Sequence, residues 1–300
     1  MNKVIILLLA VFVLVGCDSS AFKENMDKGQ QALKEQKYFE AIKVFSEAAK
    51  EKPNDQRVTE PLAEAKKKME EEQKKIVSDY YQFVIDRKYE DAYDLLSETT
   101  KKNVSKDDFD LYQQLRSEIM KFENFKVEKG KESNTFSVTE RSTNYFDGKE
   151  VVSSSIRKLV RENDTWKIIR EANEGWKEKI AYDYNVIGGM YLYGKGKDKD
   201  LNLAAEYFDK AITKDPTFEN AYFGLGYAYA ELRRNSEALK AYQTFVDKVK
   251  DDKEKSDALV NMGIIYASMG NRKKAQETLQ EAIKLDNTNE YAKTTLAAIK

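Results

Sequence analysis

The sequence predicts a mostly helical protein in which helical-hairpin repeats flank a central α+β domain, its helices laid on a curved antiparallel sheet. Three observations predict it. Small residues recur at a near-constant interval, Ala204 to Ala238 being 34 residues and Ala238 to Ala275 being 37. Between about Ile76 and Lys177 the apolar period changes from helical to alternating. Only three prolines occur (Pro53, Pro61, Pro216), few enough to leave long helices intact.

The chain opens on a basic Met1-Asn2-Lys3, followed by an apolar run from Val4 to Val15. That run falls short of the roughly 20 residues a bilayer needs, and it has the length of a secretory signal core. It ends in Leu14-Val15-Gly16-Cys17, with polar Asp18-Ser19-Ser20 after it. This segment resembles a bacterial lipobox. The resemblance implies cleavage after Gly16 and lipidation of Cys17 by a diacylglyceryl group, with palmitate as the acyl label. Residues 1–16 are then the signal peptide and 17–22 a lipidated N-terminus and short linker. The expected location is the outer side of a cell membrane or cell envelope, since two or more acyl chains anchor stably.

Residues 23–75 carry a first hairpin. Gly29, Ala32, Tyr38, Ala41, Phe45, Ala48 and Pro53 fit the spacing seen later in the chain. The stretch from Pro61 to Arg87 has no further proline or glycine, and Leu62, Ala65, Met69, Ile76, Tyr80 and Phe83 recur at helical spacing. One long helix opening at Thr59 is expected. Lysines 66–68 and 74–75, interrupted by glutamates 70–72, mark a solvated face of it.

Residues 76–177 form the central domain. Helical patterns run to Arg87, from Tyr89 to Ser97, and from Ser105 to Lys121, with Ser105 as N-cap. Strand patterns cover Phe122–Lys129, Thr135–Tyr145, Glu150–Glu162 and Thr165–Arg170, with Asp147-Gly148 and Asn163-Asp164 as hairpin turns. Ala92-Tyr93-Asp94-Leu95-Leu96 and Trp166-Lys167-Ile168 resemble segments of the nuclear-transport-factor-like, ketosteroid-isomerase-like cone. Enzymes of that family work from a carboxylate, sometimes with a histidine, inside the cone. Glu140, Arg141 and Arg157 are the polar strand residues to consider, and a solvated sheet face is the ordinary place for them.

Residues 178–300 hold the main array. Tyr222, Leu225, Gly226, Tyr229, Ala238 and Tyr242 are echoed by Leu259, Met262, Gly263, Tyr266, Ala275, Leu279 and Ala282. Both sets resemble the tetratricopeptide repeat, whose small residues let two helices approach while large ones fill the gaps. The three extra residues of the second interval fall in Lys250-Asp251-Asp252-Lys253, a loop by composition. An earlier unit keeps the register through Ile187, Gly188, Ala204, Phe208 and Ala211, but Tyr193 to Asp198 lengthens its turn. That resembles the Sel-one-like variant. Residues 289–300 would cap the array.

The resemblance assigns a concave, peptide-binding face to Tyr182, Asn185 and Leu192, then Asn220, Phe223 and Tyr227, then Val260, Asn261 and Ile264. This face lacks the Lys/Arg set with which chaperone-tail-binding members clamp a carboxylate.

Charge and composition narrow the function. Lys+Arg (51) and Asp+Glu (52) nearly cancel, which argues against nucleic acid as a partner. The absence of histidine removes the commonest general base and metal ligand. Gly189 to Gly196 spells the start of a phosphate-binding loop, but Gly196 stands where Ser or Thr is needed. Asp198, Asp200 and Asn202 start like a calcium loop, yet Leu203 replaces the turn glycine. No catalytic residue, metal ligand or cofactor is assigned. The expected protein is a non-enzymatic, membrane-anchored adaptor binding a protein or peptide partner in the cell envelope. A small-ligand carrier or cryptic enzyme using the central pocket, and a spacer without a ligand, are the alternatives.

Overall fold

The computed structural model describes residues 18–170 and 175–299. The chain divides near residue 75 into two compact units. Cys17 and the apolar run before it lie outside the described residues.

In the first unit α1 (Ser20–Lys34) and α2 (Tyr38–Glu51) form a hairpin that leads into α3 (Gln56–Ile85). Within the span 17–22 expected as a short linker, the described chain is helical from Ser20. Ser19 caps α1 by accepting from the Phe22 N–H, and the Phe22 side chain is buried. Asp18 is ion-paired with Lys52 and Arg57, which hold its carboxyl well below the usual range. The long helix also starts earlier than Thr59, because the Asp55 carboxylate accepts from the Arg57 N–H. Pro61 therefore lies inside it, where its missing N–H leaves the Arg57 carbonyl without the usual donor.

The second unit begins with the rest of α3, short α4 (Tyr89–Asp94) and α5 (Glu98–Lys101), and α6 (Lys106–Ile119), which Ser105 caps through the Asp108 N–H. Four strands follow: β1 (Met120–Lys129), β2 (Thr135–Asn144), β3 (Glu150–Glu162) and β4 (Thr165–Ile169). They pair antiparallel in the order β1-β2-β3-β4. Asn163 and Asp164 both have positive φ (47° and 63°), the two-residue turn that matches strand twist. An irregularity between Phe122 and Asn124 bends β1. One face of the sheet carries buried Phe136, Val138, Leu159, Trp166 and Ile168. Glu140 shares the parity of Phe136 and Val138 and pairs with Phe125 and Ser153 in register. Glu140 and Arg157 thus face the helices and line a cavity, contrary to the expectation for a solvated face. Arg141, of opposite parity, is exposed and pairs with Glu150 at 2.7 Å.

Seven helices complete the described chain: α7 (Trp176–Tyr193), α8 (Leu201–Lys214), α9 (Glu219–Glu231), α10 (Asn235–Lys248), α11 (Asp252–Ser268), α12 (Arg272–Leu285) and α13 (Glu290–Ile299). The hairpins share one packing device. An added Cβ would stand 2.9 Å from the Phe208 ring at Gly188, 2.9 Å from Tyr242 at Gly226, and 2.7 Å from Leu279 at Gly263. Each of these partners is buried, so the bare glycine backbone is the surface on which it packs. Gly29 and Phe45 repeat the arrangement in the first unit, where an added Cβ would strike the ring.

The lengthened turn after α7 joins the repeats to the sheet. Tyr193 meets Phe146 edge-on at 6.5 Å, Lys195 lies over the Phe146 ring, and Lys197 pairs with Glu118 at 3.0 Å. Gly196, at φ 75°, lies where a Cβ would strike the Tyr145 carbonyl. Trp176, which opens α7, packs edge-on against Tyr112 at 5.3 Å, so this helix grows directly out of the central domain's core. Asp200 caps α8 through the N–H groups of Asn202 and Leu203.

Candidate functional site

The first helix of each C-terminal hairpin contributes to one open groove of about 360 Å³. On α7 the spacing of Asn185, Gly189, Leu192 and Tyr193 puts them on one helical face, as it does Asn220, Phe223, Gly224 and Tyr227 on α9. Phe208 from α8 and Phe245 from α10 reach the floor, and Glu254 and Asp257 from α11 form an edge. No lining residue comes from the sheet or from α13, so neither of them fills the groove.

Its floor is anchored by the repeat core. Phe223 stacks edge-on against Tyr242 at 5.4 Å and Phe245 at 5.1 Å. Leu192, Phe208 and Phe245 are buried and offer only an edge to the opening, whereas Tyr193 is 58% exposed. At Gly224 an added Cβ would lie 2.5 Å from Phe208, so the groove meets backbone there. Burial raises the Tyr227 phenol, which keeps it a neutral donor at any ordinary pH. The lining has two carboxylates and neither Lys nor Arg.

Of the nine positions assigned from the sequence, the groove brings together Asn185, Leu192, Asn220, Phe223 and Tyr227. Tyr182 belongs to a neighbouring pocket of about 590 Å³, beside Glu178, Asp183, Phe218 and Glu219. That pocket shares Asn220 with the groove. The three positions on α11 need correction. Val260 is buried in the core between hairpins, Ile264 packs partly buried against the same core, and Asn261 donates to the Asp257 carbonyl of its own helix. The cause is at the helix start. Asp251 caps α11 through the N–H groups of Lys253 and Glu254, so the supposed loop 250–253 holds the beginning of a helix of 17 residues. The added turn brings Glu254 and Asp257 to the groove. Stepping back from Asn261 by four and seven residues would have found them.

The neighbouring pocket holds one unusual group. Asp183 is 5% exposed, one of its carboxylate oxygens has no hydrogen-bond partner, and burial pushes its pKa up to about 7 against the pull of Arg116 and Lys179.

Residues 207–240 and 256–289 each match a family model described as tetratricopeptide repeat, so the chain carries such repeats over its C-terminal part. A comparison with curated proteins gave no match. Among solved structures, the chain is similar to the Arabidopsis OM64 TPR domain at 18% identity, covering 41% of this chain and 97% of that one, with a TM-score of 0.37. It is similar to the N-terminal domain of stress-induced protein-1 from C. elegans at 20% identity, covering 41% and 98%, with a TM-score of 0.37. The first TPR of Spaghetti (RPAP3), bound to an HSP90 peptide, gives 17% identity, 40% and 89% coverage, and a TM-score of 0.36. Among the described residues no helix is long and apolar enough to cross a membrane.

Proposed function

We propose that this chain is a non-enzymatic adaptor, tethered by lipid on Cys17 outside the cytoplasm, that holds a peptide segment of a protein partner in the groove between α7, α9 and α11. The observation that carries this reading is the groove: open, floored by aromatic rings and edged by Glu254 and Asp257 without a cation. Its chemistry selects the partner. Apolar side chains of a peptide would seat on Phe223, Tyr227 and the Phe245 edge, and the carboxamides of Asn185 and Asn220 can bond its backbone. A Lys or Arg in that peptide would meet the acidic edge, whereas an acidic tail would be repelled.

A labelled amphipathic peptide with Leu and Phe at helical spacing and lysines between them tests this. Glu254→Lys/Asp257→Lys is expected to weaken its binding at least tenfold, or about 1.4 kcal/mol. The same peptide with glutamates in place of lysines should bind the wild type no better than background. Both substituted residues are exposed, and the bond lost is the one Asn289 donates to Asp257 at 3.0 Å, which Asn289 also makes to Ser256. The fold should therefore survive, whereas Phe223→Ala would remove packing from Tyr242. Equal affinity of the variant and wild type for the lysine peptide would take the groove out of the account.

The tether rests on the lipobox-like sequence. Because Asp18 and Ser19 already belong to the first folded unit, a lipid on Cys17 would seat that unit at the bilayer surface without a spacer. Cells fed radiolabelled palmitate should label the wild type, and Cys17→Ala should abolish the label and release the chain from membranes. Undiminished labelling of the variant would refute lipidation at that thiol.

A further inference from the structure

The cavity that Glu140 and Arg157 line is separate from the groove and lies between α3, α6 and the helix-facing side of the sheet. Its volume is about 110 Å³, and three guanidinium groups, Arg116, Arg157 and Arg170, reach it with one carboxylate, Glu140. Tyr81, which stacks on Phe125 at 5.5 Å, supplies an apolar wall.

Arg116 and Arg157 are provided only with neutral partners. Arg116 donates through Nη1 to the Tyr112 hydroxyl at 3.0 Å and through Nη2 to the Met120 sulfur, and lies against the Phe122 ring. Arg157 donates to the Ile156 carbonyl at 3.2 Å and lies against the Tyr81 ring. Both Nε–H groups are buried and meet no acceptor. Among the described residues neither guanidinium forms an ion pair, although Glu140, and Asp183 beyond Arg116, act on Arg116 at longer range. Arg170 donates to the Tyr80 hydroxyl at 3.1 Å and stacks on Trp176.

A guanidinium cannot shed its proton to escape burial, and a buried charge without a counterion is costly. Two such groups, Arg116 and Arg157, beside one small space with the single carboxylate of Glu140 therefore favour an anion that accepts forked hydrogen bonds. We propose that this cavity binds a small organic carboxylate, its oxyanion held by Arg116 and Arg157 and its apolar body against Tyr81 and Phe125. The site is independent of the peptide groove.

Benzoate is a probe of suitable size and charge. Calorimetric titration of the purified full chain is expected to show saturable benzoate binding, with benzamide, its uncharged counterpart, at least tenfold weaker. Arg157→Gln should lower benzoate affinity tenfold or more. Glu140→Gln, which removes the one carboxylate, should raise it severalfold, a gain that damage to the fold cannot mimic. Equal binding of benzoate and benzamide would overturn the proposal, as would unchanged affinity in both variants or no saturable heat. Inorganic phosphate binding where benzoate does not would replace the organic ligand with a bare oxyanion and overturn it too.

Discussion

Phe45→Ala is expected to unfold the first hairpin while leaving the C-terminal repeats intact. The ring is fully buried against Ala32, Ala41 and Ala65, with Met26, Leu33, Ile42 and Leu62 partly buried beside them. The alanines cannot fill the space, and Gly29, on whose backbone the ring packs, has no side chain to offer. Truncating a buried phenylalanine costs about 3–5 kcal/mol when the cavity persists. A core of this size rarely supplies more than about 3–5 kcal/mol in total. The loss therefore consumes the whole margin of α1 and α2. Hydrogen exchange read by mass spectrometry should show residues 20–51 unprotected in the variant, with 219–285 protected as in the wild type. Native-like protection of α1 would mean that this hairpin draws its stability from elsewhere.

Asp183→Asn should stabilise the protein at neutral and higher pH and flatten its pH dependence. With its carboxyl raised from 3.8 to about 7, the folded protein keeps a proton that the unfolded chain has already released. Between those values unfolding sheds a proton, so stability is full below about pH 4 and falls as pH rises through about 7. At 1.36 kcal/mol per unit, roughly 4 kcal/mol is at stake, with Arg116 and Lys179 already counted against it. Asparagine has nearly the same shape and nothing to ionise. Urea unfolding at pH 5 and pH 8 should show a drop in the wild type that the variant lacks. Parallel pH curves for the two proteins would show that the Asp183 side chain is solvated.

How far the sequence could be read depended on the distance over which each pattern acts. Strands β1 to β4 start and stop within two residues of the expected ranges, because the turn residues Asp147-Gly148 and Asn163-Asp164 act locally. The cap at Ser105 was equally plain. Facing was harder. Residues 136, 138 and 140 share a parity that points Glu140 inward, but a carboxylate and an arginine on a buried face run against their usual preference for water, and the preference misled. At α11, Asp251 and Asp252 read as loop because the same polar residues serve turns and helix N-termini.

By itself the sequence determined that helices pair, that small residues mark where they touch, and that a four-stranded sheet interrupts them. These follow from local propensity and from packing repeated along one dimension, which a single chain's spacing records. Only the tertiary structure decided which side chains face an opening. Val260 was closed off in the core between hairpins, and Glu254 came to the opening on the turn added at the start of α11. Arg157 met Arg116 and Glu140 because sheet register and helix docking act across residues far apart in the chain.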